Sequence, residues 1–175
     1  IAMPSANISS GVSPVNAEDV ADEFKKKIKI IINGGNSKIG IESTVIDLTN
    51  RPKILRPGII GADIITKVLK SNVKIVKRSS KIMSPGMLKK HYSPGIPMFL
   101  NKKNTNKKNA FIILGNKYKS NKNYFNLSKN SDLKEAASNL YKTLRKIKKL
   151  KFQKIYVVKI PNVGPGIAIN DRLKR

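Results

Sequence analysis

The chain has 175 residues, of which 36 are Lys or Arg against 10 Asp or Glu, giving a formal net charge of +26. It contains no Cys and a single His, which excludes disulfides and thiolate metal sites and argues against a Ser-His-Asp triad. No apolar run approaches the roughly 18 residues of a membrane-spanning helix, and no basic stretch precedes an apolar core at the start, so a cytoplasmic protein is expected. The positive charge is nearly all Lys, with six Arg. Arg is the better fork for phosphates, and Lys, Ile and Asn are all raised in AT-rich genomes, so charge alone does not assign a nucleic-acid partner.

The first segment, Pro4-Ser5-Ala6-Asn7-Ile8-Ser9-Ser10-Gly11-Val12-Ser13-Pro14, packs hydroxyls, an amide, a Gly and bracketing prolines into a polar loop. Its side chains donate and accept at short reach, as phosphates and hydroxyls require, though a Ser-rich coil has the same composition. Asn16 caps a predicted helix over 17–27, with Val20, Ala21 and Phe24 as its apolar stripe. Ile28 to Ile32 reads as a β-branched strand ending at the Asn33-Gly34-Gly35 turn. Glu42 to Leu48 and Lys53 to Arg56 read as further strands, Ile60 to Lys70 as a helix and Val73 to Lys77 as a strand. Tight turns predict an antiparallel or mixed sheet.

Residues 78–97 lose periodicity and form a linker, which carries Pro85-Gly86-Met87 and His91-Tyr92-Ser93-Pro94. A second unit follows. Met98 to Leu100, Ala110 to Leu114 and Lys154 to Ile160 are apolar strands, and 101–109 and 116–123 are Lys/Asn-rich surface loops. Leu133, Ala136, Ala137, Leu140, Leu144 and Ile147 line one face of a helix over 132–150. Strands alternating with helices predict a small α/β unit.

Within the strand at 42–48, alternation sends Ser43 and Thr44 to opposite faces, one free for a ligand and one for packing. Arg56, before the Pro57-Gly58 turn, points into a cleft or into solvent. Tyr92 stacks on a base or pins the linker. Glu42 and Asp47 read as structural carboxylates and His91 as a linker residue.

In order, PSAN-x-SG-x-x-SP, G-x-EST-V-x-D, LRPG, PGM-x-x-x-HYSP and a closing G-x-G-x-AI-x-x-RL at Gly164–Leu173 resemble the Sua5/YrdC family, the L-threonylcarbamoyladenylate synthases. The resemblance spans essentially the whole chain. It implies the C-terminal part of a YrdC-like twisted-sheet α/β domain at 1–77, a linker at 78–97 lying over the site as a lid, and a small Rossmann-like Sua5 domain at 98–175. It implies a nucleotidyltransferase that joins L-threonine, bicarbonate and ATP into threonylcarbamoyl-AMP and pyrophosphate. The product would serve tRNA threonylcarbamoylation by a downstream transferase machinery. ATP would be substrate, with Mg²⁺ carried by its phosphates and no protein metal site. By position, Ser5, Ser13, Arg56 and Tyr92 would contact ATP and Ser43 would contact threonine; no catalytic residue is assigned.

The family's domain has a larger part before PSAN, with a KR-x-x-x-x-P-type segment, and residue 1 here is Ile. The resemblance therefore also implies a fragment inactive by itself, its strands at 28–32 and 42–48 short of neighbours. The alternatives are a non-catalytic module binding tRNA or double-stranded RNA, an affinity found in YrdC-like domains, and a remnant of a split gene.

Overall fold

A computed structural model describes residues 6–76 and 92–175. Asn16 caps α1 (Ala17–Phe24), its side chain accepting from the Asp19 amide at 2.8 Å, and a short 3₁₀ turn, Lys25–Lys27, closes the helix. Three short strands follow: β1 (Val45–Asp47), β2 (Lys53–Arg56) and β3 (Lys74–Ile75). The β1–β2 pair is antiparallel and the β2–β3 pair parallel, so the sheet is mixed as expected. Helix α2 (Ala62–Leu69) covers it, and Ile54, Ile65 and Val73 form a small core between them.

The second unit is an all-parallel sheet in the order β4-β7-β5-β6, built from β4 (Met98–Phe99), β5 (Ala110–Ile113), β6 (Tyr124–Asn126) and β7 (Ile155–Val157). Helix α3 (Leu133–Lys149) links β6 to β7, and α4 (Pro165–Leu173) packs beside it. Asp132 caps α3 by accepting from the Lys134 and Glu135 amides. Ala136, Ala137, Leu140, Leu144 and Ile147 are buried as their spacing predicts, and Tyr141 joins them.

Three local expectations need correction, the first being the strand over 42–48, which is confined to Val45–Asp47 and leaves Ser43 and Thr44 before it. Ile28 to Ile32 is extended but pairs with no strand among the described residues, and Ile30 and Ile32 are 80% and 90% exposed. A β-branched run supplies propensity, but a strand exists only against a neighbour that takes its hydrogen bonds. After it Gly35 sits at φ 85° and its amide donates to the Asn33 side chain, without a backbone turn or bend at 33–35. Conversely, β6 forms just after the predicted surface loop at 116–123, where the sequence reading assigns no element: three residues beside a Lys/Asn-rich stretch carry too short a pattern. Of the linker, residues 78–91 lie outside the described residues, with the Pro85-Gly86-Met87 motif and His91.

The two units share one core. Val12, Val15, Ile41 and Tyr92 are buried in the same cluster as the inner faces of α3, α4 and the parallel sheet. Arg145 on α3 donates to the Val12 carbonyl at 2.6 Å and pairs with Glu23 at 3.0 Å, while Ser138 donates to the Lys38 carbonyl. Gly40 sits against that helix at φ 74°, where a Cβ would lie 2.3 Å from the Ser138 carbonyl oxygen.

Candidate nucleotide site

The opening loop is held by its own turn and by the segment after the linker. The Gly11 amide donates to the Ile8 carbonyl, and the Ser93 amide donates to the Ser10 carbonyl at 3.0 Å, forming a bridge between Gly11 and Ser93. Tyr92 is thereby fixed directly beneath the loop, in a left-handed backbone conformation at φ 59°.

The fork of Arg56 ties three segments together. Its Nε donates to the Ser43 carbonyl at 3.1 Å, Nη2 to the Ser43 hydroxyl at 3.4 Å and Nη1 to the Tyr92 hydroxyl at 3.4 Å. Ser43 is exposed and Arg56 half-buried, so this cationic corner opens to solvent. Thr44 donates to the Ile60 carbonyl at 2.8 Å; both Ser43 and Thr44 lie just before β1, so strand alternation is not what separates them. Gly58 permits this close approach, since a Cβ there would lie 2.3 Å from the Thr44 amide nitrogen.

Beneath the corner lies a buried polar cluster. Glu42 accepts from Ser13 Oγ at 2.6 Å on one oxygen, and from Tyr141 Oη at 2.7 Å and Arg172 Nε at 3.0 Å on the other. Burial alone would raise this carboxyl. The Ser13 hydrogen bond, the Arg172 charge and the Tyr141 hydroxyl outweigh burial and hold it below its ordinary value. Arg172 has a side chain with no exposure and also grips Asp171 at 2.7 Å. Its guanidinium lies over the Tyr92 ring, 4.8 Å from the centroid, and Tyr141 stacks on Tyr92 at 5.9 Å and 21°. Both neighbours crowd the Tyr92 ring, which is 1% exposed, so it has no free face for a base and only its hydroxyl reaches Arg56. Burial, then the Glu42 charge, pushes that phenol up.

Ser13, Ser43, Arg56 and Tyr92 are thus brought together, Ser13 through Glu42 rather than directly; Ser5 lies outside the described residues. Tyr141 and Arg172 complete the cluster, although sequence reasoning does not single them out for it. For Arg172 the signal is present in the Arg-Leu of the closing motif. For Tyr141 it is a polar tip at a core position of α3. Glu42 is structural, as the sequence suggests, and so is Asp47, which is held at about 2 by Thr49 and Lys53. Among the described residues no three His, Cys, Asp or Glu side chains group to hold a metal ion. A polar hollow of about 360 Å³ between Asn16, Asn33 and Lys142 contains none of these site residues.

A mixed sheet and a parallel α/β unit fused through one core, with an Arg-Ser-Tyr corner over a buried Glu-Arg pair, define an α/β protein with a polar, cation-lined site. Residues 60–175 match the family described as threonylcarbamoyl-AMP synthase, C-terminal domain, and residues 1–58 match the Sua5/YciO/YrdC family described under telomere recombination. The chain belongs to the Sua5/YrdC family, with the C-terminal domain of threonylcarbamoyl-AMP synthase. It is 32% identical to the threonylcarbamoyl-AMP synthase of Pyrococcus abyssi, over 100% of this chain and 57% of the relative. It is 30% identical to that of Bacillus subtilis, over 100% of this chain and 56% of the relative. The crystal structure of P. abyssi Sua5 complexed with L-threonine superposes with a TM-score of 0.84 at 33% identity, over 98% of this chain and 56% of that one. A variant of that protein with Ala at an adjacent His and Tyr gives 0.79 at 30% identity, over 98% and 55%. The chain therefore spans a little over half the length of these relatives. No helix among the described residues is long and apolar enough to cross a membrane.

Proposed function

We propose that this chain forms one wall of the ATP and L-threonine pocket of a threonylcarbamoyl-AMP synthase, a nucleotidyltransferase acting in tRNA threonylcarbamoylation. The observation that carries the reading is the Arg56 fork joining Ser43 to Tyr92 at an open corner. The likeness to a Sua5 complexed with L-threonine supports threonine as the amino acid. Residues 1–77 would belong to the YrdC-like part, 78–97 to the linker and 98–175 to the Sua5 unit.

In this reaction the amine of L-threonine bonds to the carbon of bicarbonate and water leaves, giving a carbamate. Its oxygen bonds to the α-phosphorus of ATP as the bond to pyrophosphate breaks. Such a transfer needs positioning and charge neutralisation more than a general base. Ser43 would hold threonine. Arg56 would neutralise phosphate charge, with the Ser5 and Ser13 loop and the Tyr92 hydroxyl completing the nucleotide contacts. Glu42 and Asp47 are committed to ion pairs and hydroxyls, so Mg²⁺ would be carried by the phosphates.

Calorimetric titration of the chain with ATP in the presence of L-threonine tests this. Removal of the charge-assisted hydrogen bonds of the guanidinium in Arg56→Ala weakens ATP binding by roughly tenfold or more. Saturable binding left unchanged by Arg56→Ala and Ser43→Ala refutes the placement.

A further inference from the structure

The segment between α1 and β1 holds a reactive geometry outside the nucleotide site. Asn33 is the one asparagine of the chain that is followed by Gly, and Asn33, Gly34 and Gly35 are all exposed. Asn33 Oδ1 accepts a hydrogen bond from the Gly35 amide at 3.0 Å. The Gly34 amide between them makes no hydrogen bond among the described residues. A Cβ built at Gly34 would meet nothing within 4 Å, so nothing packs over the backbone there.

The side-chain contact recurs elsewhere without the glycine. Asn106 and Asn126 accept in the same way from the Lys108 and Ser128 amides, both at 3.1 Å. Lys107 and Leu127 follow them, and Leu127 is fully buried, so a side chain screens the next amide in both cases. Asn33 alone among the three combines a bare neighbouring amide with a donor on its side-chain oxygen.

We infer that Asn33 is a site of spontaneous deamidation through a succinimide. The Gly34 nitrogen, losing its proton to solvent base, bonds to Asn33 Cγ. The electron pair of the side-chain carbonyl moves onto Oδ1, where the Gly35 N–H already donates, so the developing oxyanion is met without rearrangement. The Cγ–Nδ2 bond then breaks, and that nitrogen leaves as ammonia after taking a proton from water. A second water opens the ring, giving aspartate by attack at Cγ or isoaspartate by attack at the backbone carbonyl carbon. In balance one water is consumed and one ammonia released.

The backbone here can take the product. Isoaspartate lengthens the chain by one methylene, and residues 28–36 pair with no strand among the described residues, so no ladder breaks. Asn33 lines a polar hollow together with Glu18 and Lys142, and the new carboxylate would join their charges there. The inference stands apart from the synthase reading, since none of these residues lies at the Arg56 corner.

The test is ageing of the full chain in mildly alkaline buffer. Conversion is followed by peptide mass spectrometry and by methyl transfer from labelled S-adenosylmethionine with an isoaspartyl methyltransferase. Asn33 should convert roughly tenfold or more faster than Asn106 and Asn126, yield isoaspartate, and leave the melting temperature unchanged. Gly34→Val crowds the attacking nitrogen but keeps the Gly35 donor, and should slow conversion roughly tenfold or more. Because folding fixes the donor, the native chain should convert at least as fast as the chain unfolded in guanidinium chloride. Another asparagine converting first, an unchanged rate in Gly34→Val, slower conversion in the native chain than in the unfolded one, or aspartate formed without isoaspartate would overturn the inference.

Discussion

Glu42→Gln isolates the charge that the core of this protein is built around. The substitution keeps the shape and an oxygen for Ser13 or Tyr141, but it removes the anion facing Arg172, a guanidinium with no exposure. Breaking a buried pair by deleting one partner costs about 3–5 kcal/mol. Here Asp171 still grips Nη1 at 2.7 Å, so the cost falls at or just under the lower end of that range, about 2–3 kcal/mol. For a chain of this length each kcal/mol moves the melting temperature about 2–4 °C, giving a fall of roughly 4–12 °C by calorimetry. The acid limb sharpens the test. Because the folded carboxyl titrates below its unfolded value of about 4.3, its stabilisation is complete above that value and is lost as pH falls through the folded one. Glu42→Gln should be less stable at neutral pH and lose less on acidification. A melting change under about 1 °C, with acid profiles that run parallel, would refute the assignment of Glu42 as the counter-charge of the core.

Tyr92→Phe and Tyr92→Ala should separate the hydroxyl from the ring. Truncating a side chain 1% exposed and packed between Tyr141 and Arg172 costs about 3–5 kcal/mol, whereas Phe keeps that packing and changes ATP binding with little loss of melting temperature. Asp132→Ala removes two amide hydrogen bonds at the start of α3 and should cost about 1 kcal/mol in urea unfolding, with Asp132→Asn restoring most of it.

What is legible in the sequence has a local cause. The α3 stripe and the Asn16 cap each follow from spacing within a few residues. Motif order carries the family and brings Ser43, Arg56 and Tyr92 to one place. The failures are non-local. Ile28 to Ile32 has strand propensity without a strand to pair with. β6 has too little pattern of its own and exists because β5 offers it a ladder. Glu42 meets Tyr141 and Arg172 across most of the chain, which no window of sequence can show. From sequence Tyr92 is equally a stacking ring or a pin, and only the packing of Tyr141 and Arg172 removes the free ring face.

The shared core also sets an order of events in synthesis. Glu42 and Arg172 are 130 residues apart, and Arg145 reaches back 133 residues to Val12. Closing a loop of that size costs about 4 kcal/mol of chain entropy before any contact forms. Ser13 and Glu42 meet across only 29 residues, but the Arg172 guanidinium that backs Glu42 and the Tyr92 ring arrives only when α4 has emerged. The Arg56 corner is thus assembled last on a floor made late, and changes in α4 should slow the appearance of a competent site more than they alter the finished one.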